Sequence, residues 1–389
     1  MQPPSSSASN RGPAGAVTGA ARCVEGFWDR VSDGFQIQVL WSQFFAEARS
    51  SYALYTREID WETLNKEKGA RRLLTLTRLL FWAMLMKLSP ARRVFLLIVL
   101  LLLLLFAFNV RPANVPREAE FLAAIGGLIF LLALELADRV TMKRDLEIAR
   151  DIQRWLVPQT APRVPGVDLA FSSRPANTVG GDYYDAFLLN PTAPPDSQRL
   201  LLAVADVAGK SVPAALLMAT FQASLRTAAV TAPPLPELVA SLNEYACAHS
   251  QGGGRFTTAF LADFHPASRE LTYILAGHNA PILRRASGEL ERLEVGDLPL
   301  GIKPDTRFPS GTVKMGPGDL LVVFTDGAVE AINEREQEFG EPRVLEMVRA
   351  TSMESAATTL TRLSSAIAAF VGSTRQHDDI TWLIMRVEQ

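Results

Sequence analysis

Chemistry that relies on thiols or paired imidazoles has little material in this sequence. Only two cysteines, Cys23 and Cys247, occur in 389 residues. They lie far apart, which excludes a disulfide scaffold and a cysteine-rich zinc site and suits a reducing cytosol for the soluble part. The four histidines, His249, His265, His278 and His377, form no HxxxH or HxH pair. Any metal site should therefore be rich in oxygen, which favours magnesium or manganese over zinc. A Ser-His-Asp or Cys-His signature is missing, as is a Walker-type glycine loop for nucleoside triphosphates. The formal charge is only −2 and no basic block marks the second half, so nucleic acid is not an expected partner. A kinase of the histidine type lacks both its phospho-accepting histidine and its glycine-rich lid. No apolar stretch follows the first methionine closely enough for a cleaved signal peptide.

Long apolar runs, by contrast, are present. Val94 to Phe108 is unbroken, and with its flanks approaches the roughly 20 residues that span a bilayer. A second run, Phe121 to Ala137, follows a short polar loop. Leucine on every side of a helix suits lipid better than a half-exposed core. Arg71, Arg72, Arg78, Lys87, Arg92 and Arg93 precede the first run, and Arg139, Lys143 and Arg144 follow the second. The positive-inside rule then puts both ends in the cytoplasm. The sequence reads as a disordered tail (1–20), a cytosolic helical region (21–90), a transmembrane hairpin (91–137), a linker helix (138–160) and a C-terminal domain (161–389). Arg71 to Leu88 reads as an interfacial helix, and Glu135 as an interfacial or paired acid. Met142, Leu146, Ala149, Ile152 and Leu156 recur at helical steps in the linker. That helix either simply packs on the next domain or carries dimerisation or a signal from membrane to cytosol.

After Pro165 the texture becomes strands and turns interrupted by helices. Strands are expected at Val167 to Ser172, Tyr183 to Leu189, Leu200 to Ala205, Phe256 to Phe264, Leu271 to Leu275, Pro281 to Arg284, Asp319 to Thr325 and Ile380 to Val387. Helices are expected at Val212 to Ala229, Pro236 to Cys247, Pro342 to Arg349 and Ala356 to Val371. Hairpin strands mixed with helix pairs, without regular βαβ alternation, indicate an α+β fold.

Acids recur beside these strands. Asp182 follows Gly180-Gly181 at the mouth of one, Asp206 ends Leu200 to Ala205, Asp326 ends Leu320 to Thr325, and Asp378-Asp379 open Ile380 to Met385. If they converge, each pair repels by roughly 4 kcal/mol at 4 Å and an effective dielectric near 20. Two divalent ions about 3.5–4 Å apart would neutralise them and lower the pKa of a shared water from about 15.7 toward roughly 7. In-line attack on phosphorus then needs no side-chain nucleophile.

These residues also resemble a known family. Leu146 to Val387 is similar to the metal-dependent protein phosphatases (PPM, type 2C), in the bacterial branch named for the stage II sporulation protein E. The resemblance rests on Ala149-Arg150-Asp151-Ile152-Gln153, on Arg174-Pro175-Ala176 leading to Val179-Gly180-Gly181-Asp182-Tyr183-Tyr184-Asp185, and on Ala205-Asp206-Val207-Ala208-Gly209-Lys210. It continues with Ala276-Gly277-His278-Asn279, Phe324-Thr325-Asp326-Gly327 with Glu330, and Asp378-Asp379-Ile380-Thr381.

The fold it implies is an αββα sandwich, two antiparallel sheets flanked by helices. It implies two divalent cations, Mn²⁺ or Mg²⁺, with Asp182 bridging, Asp206 and the Val207 carbonyl on one ion, and Asp326 and Asp378 on the other. Asp379 stands where many relatives carry asparagine, Ser211 where glycine often follows the lysine, and Ala205 where glycine often precedes the aspartate. Arg174 is a candidate phosphate clamp; His278 reads as structural support and Glu330 as a helix-start acid. The implied reaction is hydrolysis of phosphoserine or phosphothreonine on a regulatory protein of the anti-sigma-factor antagonist type. With the hairpin, this gives a multi-pass protein of the bacterial cytoplasmic membrane whose catalytic domain faces the cytoplasm, with the linker helix as the place for a homodimer contact. The alternatives are a pseudophosphatase that binds a phosphoprotein without hydrolysis, and a membrane signalling scaffold.

Overall fold

A computed structural model describes residues 70–108, 110, 116–249, 254–351 and 354–388. The expected tail and most of the region read as 21–90 lie outside these residues. The described residues fall into two compact units, divided between Ala137 and Asp138.

In the first unit, α1 (Ala70–Lys87) is followed by α2 (Pro90–Ala107), which Ser89 caps and Pro90 starts. α3 runs from Arg117 to Leu156 and carries the second apolar run in its first half. α2 packs on this half through the Phe95–Phe130 and Phe106–Phe121 ring pairs, at 5.7 and 5.1 Å between centroids. Gly127 lets Val99 approach, since a Cβ there would come within 2.6 Å of a Val99 methyl. Small residues at such contacts are what apolar helices use in place of a hydrophobic driving force. Glu135 is paired, its carboxylate 3.4 Å from Arg92. Both helices are long and apolar enough to cross a membrane by length and composition, and only 6% of either apolar window is buried. The second run and the linker segment, read in sequence as 91–137 and 138–160 with the helical pattern continuing to Leu156, belong to one unbroken helix of 40 residues, α3. Nothing in that stretch, neither proline nor glycine pair, interrupts its backbone ladder after Gly126-Gly127.

The second unit is α+β. One sheet has the order β1 (Val167–Arg174), β11 (Ile380–Val387), β10 (Leu320–Phe324), β6 (Ile282–Arg284), β7 (Leu290–Arg292). The other has β2 (Tyr183–Leu188), β3 (Leu200–Val207), β4 (Thr257–His265), β5 (Glu270–Ala276), β8 (Gly296–Asp297), with β9 (Gly311–Lys314) also on β5. The residues themselves dictate the layering. Along β3, Leu201, Ala203, Ala205 and Val207 join one core while Leu200, Leu202 and Val204 join another. Along β11, Leu383, Met385 and Val387 face that second core, and Ile380, Trp382 and Ile384 a third. Strands apolar on both faces must lie between layers. α4 (Ser211–Ala228) and α5 (Leu235–His249) cover the outer face of one sheet, α6 (Glu341–Arg349) and α7 (Ala356–Val371) that of the other. The expected αββα sandwich is therefore present. The strands β7, β8 and β9 were not expected from sequence; they are two to four residues long.

Candidate active site

Antiparallel register places the acids. Tyr183 lies opposite Ala205 in the β2–β3 ladder, so Asp182 and Asp206, one step further on, share that end of the sheet. Phe324 lies opposite Trp382 in β10–β11, so Asp326 and the Asp378-Asp379 pair share an end of the other sheet. The Thr325 hydroxyl links the two, donating to Asp182 Oδ2 at 2.9 Å, while it accepts from the Thr381 amide at 3.0 Å.

The geometry leaves the acids in one another's field. Asp182 is 6% exposed, and burial first, then the Asp206 charge, raises its pKa well above the usual carboxylate range. Hydrogen bonds from Thr381 and Thr325 offset part of that. Burial, with the charges of Asp326, Asp378 and Asp379, pushes Asp206 up to about 7. Asp326 is raised by burial and by Asp378. One lysine answers this charge: Lys210 Nζ lies 2.8 Å from Asp378 and also donates to the His377 carbonyl at 2.9 Å.

Three buried aspartates away from this end fare differently. Asp185, Asp263 and Asp319 each meet an arginine, Arg226, Arg199 and Arg285 respectively. Among the described residues, no basic side chain forms an ion pair with Asp182, Asp206 or Asp326. Buried charge normally has a partner. For the buried Asp182 and the half-buried Asp206 and Asp326, the described residues supply no such partner.

The two glycines before Asp182 make close approach possible. A Cβ on Gly181 would stand 3.0 Å from the Val207 carbonyl oxygen and 3.7 Å from Asp206 Oδ1. Glycine thus keeps open the space beside two oxygen donors. A Cβ on Gly180 would collide with the Asp379 carboxylate. Asp379 holds this turn by accepting from the Ala176 amide at 2.7 Å and the Gly181 amide at 2.6 Å. Its part is to anchor the backbone of this turn.

The remaining expected residues fall as follows. Arg174 is exposed at the end of β1 and borders a cavity of about 240 Å³ with Lys210, Glu330, Arg375 and Asp378. Ile367 and Ile380 form part of its apolar wall. Asp185 belongs to a different network: Arg226 grips it through Nε and Nη2, both at 2.7 Å, and the Tyr183 hydroxyl also donates to it. His278 is buried beside Thr258 at 3.0 Å, and burial pushes its pKa down to about 4, so it is neutral near pH 7. Ser211 has φ of +64°, the left-handed region that favours glycine. Thr325, Thr381, Gln153 and Arg226 take part around the acids without having been singled out by the sequence. Only the quoted motifs containing the first three pointed near them.

Do these residues suit divalent cations? The donors are carboxylates and one carbonyl, the set that hard cations take, and among the described residues Lys210 alone pairs with any of these acids. They do fit. Among the described residues, no three His, Cys, Asp or Glu side chains are already drawn into one ligand cluster. The acids converge as a field of charge.

Residues 196–388 match the family model described as "Stage II sporulation protein E (SpoIIE)". Among curated proteins, the chain is 26% identical over 280 residues to Protein IcfG of Synechocystis, covering 65% of this chain and 43% of that one. It is 26% identical over 246 residues to the phosphoserine phosphatase RsbU of Bacillus subtilis, covering 63% of this chain and 70% of RsbU. The chain thus spans less than half the length of IcfG. The fold matches the SiaA-PP2C domain of Pseudomonas aeruginosa with a TM-score of 0.57 at 23% identity, over 64% of this chain and 98% of that one.

Proposed function

We propose, from the premise that the C-terminal unit of this chain belongs to the SpoIIE-type PP2C phosphatase family, that it hydrolyses phosphoserine or phosphothreonine on a regulatory protein. The observation that carries this reading is that Asp182, Asp206 and Asp326 have no ion-pair partner among the described residues, while the buried Asp185, Asp263 and Asp319 each have an arginine. Asp182, Asp206, Asp326 and Asp378, with the Val207 carbonyl, would hold two divalent cations, Mn²⁺ or Mg²⁺. Bound there, the cations would supply the missing positive charge, polarise a phosphoryl group and activate water.

The chain's own residues do the rest. Thr325 fixes the orientation of Asp182, and Asp379 fixes the turn that carries it. Lys210 restrains Asp378. Arg174 and Arg375, with Lys210, give the adjoining cavity a basic rim on which a phosphomonoester dianion can settle. His278, neutral and buried, supports the strand end from behind.

RsbU is named a phosphoserine phosphatase, which supports the choice of monoester. A substrate of the anti-sigma-factor antagonist type follows from the resemblance of the motifs. The two apolar helices support anchoring in the bacterial cytoplasmic membrane as a hairpin, both ends cytoplasmic. The linker half of α3, with Ile148, Ile152 and Trp155 exposed, supports a homodimer contact.

Two preparations test these points: the full chain in right-side-out vesicles and the full chain in detergent. In detergent, phosphate release from an aryl phosphate and a phosphoserine peptide should need Mn²⁺, stop with EDTA, and vanish in Asp206→Ala. Binding of the peptide without any turnover would replace the enzyme by a phosphoprotein-binding module. Protease added outside the vesicles should leave the C-terminal unit intact; cleavage there would reverse the topology.

A further inference from the structure

Ala149-Arg150-Asp151-Ile152-Gln153 is the one quoted motif that the phosphatase reading leaves without a task. Its last residue makes a reciprocal contact. Gln153, on the final turn of α3, donates from Nε2 to the Gly180 carbonyl at 2.6 Å and accepts at Oε1 from the Gly180 amide at 3.2 Å. Both polar groups of one peptide residue are therefore satisfied by one side chain. Gly180 is buried and lies just outside β2, so no strand ladder serves these groups. Buried backbone donors and acceptors need partners, and here a residue 27 positions earlier provides them.

The other side of the same turn is held by Asp379, through the Ala176 and Gly181 amides. A Cβ at Gly180 would strike that carboxylate. The backbone at 180–181 is thus clamped between a carboxamide and a carboxylate, and Asp182 is the next residue. We propose that Gln153 is a positioning residue for Asp182, bracing the Gly180 peptide so that this carboxylate is presented to the cations. The proposal rests on the metal-phosphatase reading, but it specifies a contact that can be measured without turnover.

The geometry also sets which substitution tells most. Glutamate has nearly the same shape as glutamine but cannot donate when ionised, so it would face the Gly180 carbonyl with like partial charge. Alanine removes both bonds and favours the helix.

The experiment uses the full chain in detergent, comparing wild type, Gln153→Glu, Gln153→Ala and the exposed control Lys143→Ala. Calorimetric titration reads Mn²⁺ affinity, and hydrogen exchange on the EDTA-treated chain reads the 176–182 backbone. Both Gln153 variants should bind Mn²⁺ roughly 10- to 100-fold more weakly, as outer partners of metal ligands typically do. Their 176–182 amides should exchange faster than wild type without metal. Their kcat should fall while KM for the aryl phosphate stays within about twofold, the pattern of a lost transition-state interaction. Lys143→Ala should match wild type throughout.

Unchanged Mn²⁺ affinity in both variants would overturn the proposal. So would weaker affinity with wild-type exchange at 176–182, or a global loss of protection across the unit, which would mark Gln153 as a general fold contact. A wild-type chain that binds no Mn²⁺ would remove the phosphatase reading itself, a different outcome from any of these.

Discussion

Asp182 and Asp185 are three residues apart, both buried, and in opposite electrostatic surroundings. Asp185, fully buried, is gripped by Arg226 through two bonds and receives the Tyr183 hydroxyl. Asp182 has threonine partners and the neighbouring charge of Asp206. One carboxylate ties β2 to α4 and completes a structural joint. The other sits where repulsion accumulates, and among the described residues no basic side chain pairs with it. Burial alone does not separate Asp182 from Asp185; the presence or absence of a counter-charge does.

The sharpest way to break that comparison is to neutralise each side in turn. Asp182→Asn should lower Mn²⁺-dependent phosphate release by about a thousandfold, on the order of 4 kcal/mol in the barrier, while the metal-free chain melts no lower than wild type. Arg226→Ala should do the reverse. It strands the buried Asp185 carboxylate, a loss of about 3–5 kcal/mol of stability, read by denaturant unfolding of the C-terminal unit. If Asp182→Asn destabilised the metal-free chain as much as Arg226→Ala does, the two carboxylates would be equivalent and the contrast would fail.

A pH series gives the next largest effect. Asp206 ordinarily titrates near 3.8 and is pushed up to about 7 in the folded chain, and Asp182 and Asp326 move in the same direction. Between those values the unfolded chain has released protons that the folded chain still holds. The stability contributed by the protonated form is therefore fully present at low pH and is lost as pH rises through the folded value. In EDTA, the melting temperature of the C-terminal unit should fall between about pH 5 and pH 8. Saturating Mn²⁺ competes with protons for the same oxygens, so its stabilisation should grow over that range. A metal-free melting temperature that rises over the same interval would contradict the crowding of acids.

How much of this could be read from the chain depends on the distance over which each feature is encoded. β3, β10 and β11 are apolar on both faces, so their residues alone announce buried strands, and Asp206, Asp326 and Asp378 are visible as acids at their ends. Helix α7 matches the expected Ala356 to Val371 because Ser355 caps it and its apolar positions repeat at helical spacing. β8 and β9 are short edge pieces whose pairing with β5 is fixed by contacts and carries no local pattern. The supporting residues were hidden for the same reason. Thr325 reaches Asp182 across 143 residues, and Arg226 reaches Asp185 across 41. A motif shows which side chains are available; only the register of two sheets shows which carboxylate each one serves.

The smallest effect sharpens the contrast from the backbone side. Ser211 follows Lys210, the basic residue that answers the acid cluster, and opens α4 with φ of +64°. The left-handed region costs an L-residue roughly 1–2 kcal/mol, a cost glycine largely escapes while adding freedom to the unfolded chain. Ser211→Gly should therefore stabilise the C-terminal unit by about 1 kcal/mol, a rise on the order of 2–4 °C in melting temperature. The Lys210–Asp378 contact needs only the direction of the backbone, which glycine can keep, so Mn²⁺ affinity and kcat should remain near wild type. If the variant gains stability but loses Mn²⁺ affinity, the serine's conformation is itself part of holding Lys210 against Asp378. The cost concentrated at the acid site would then include backbone strain as well as charge.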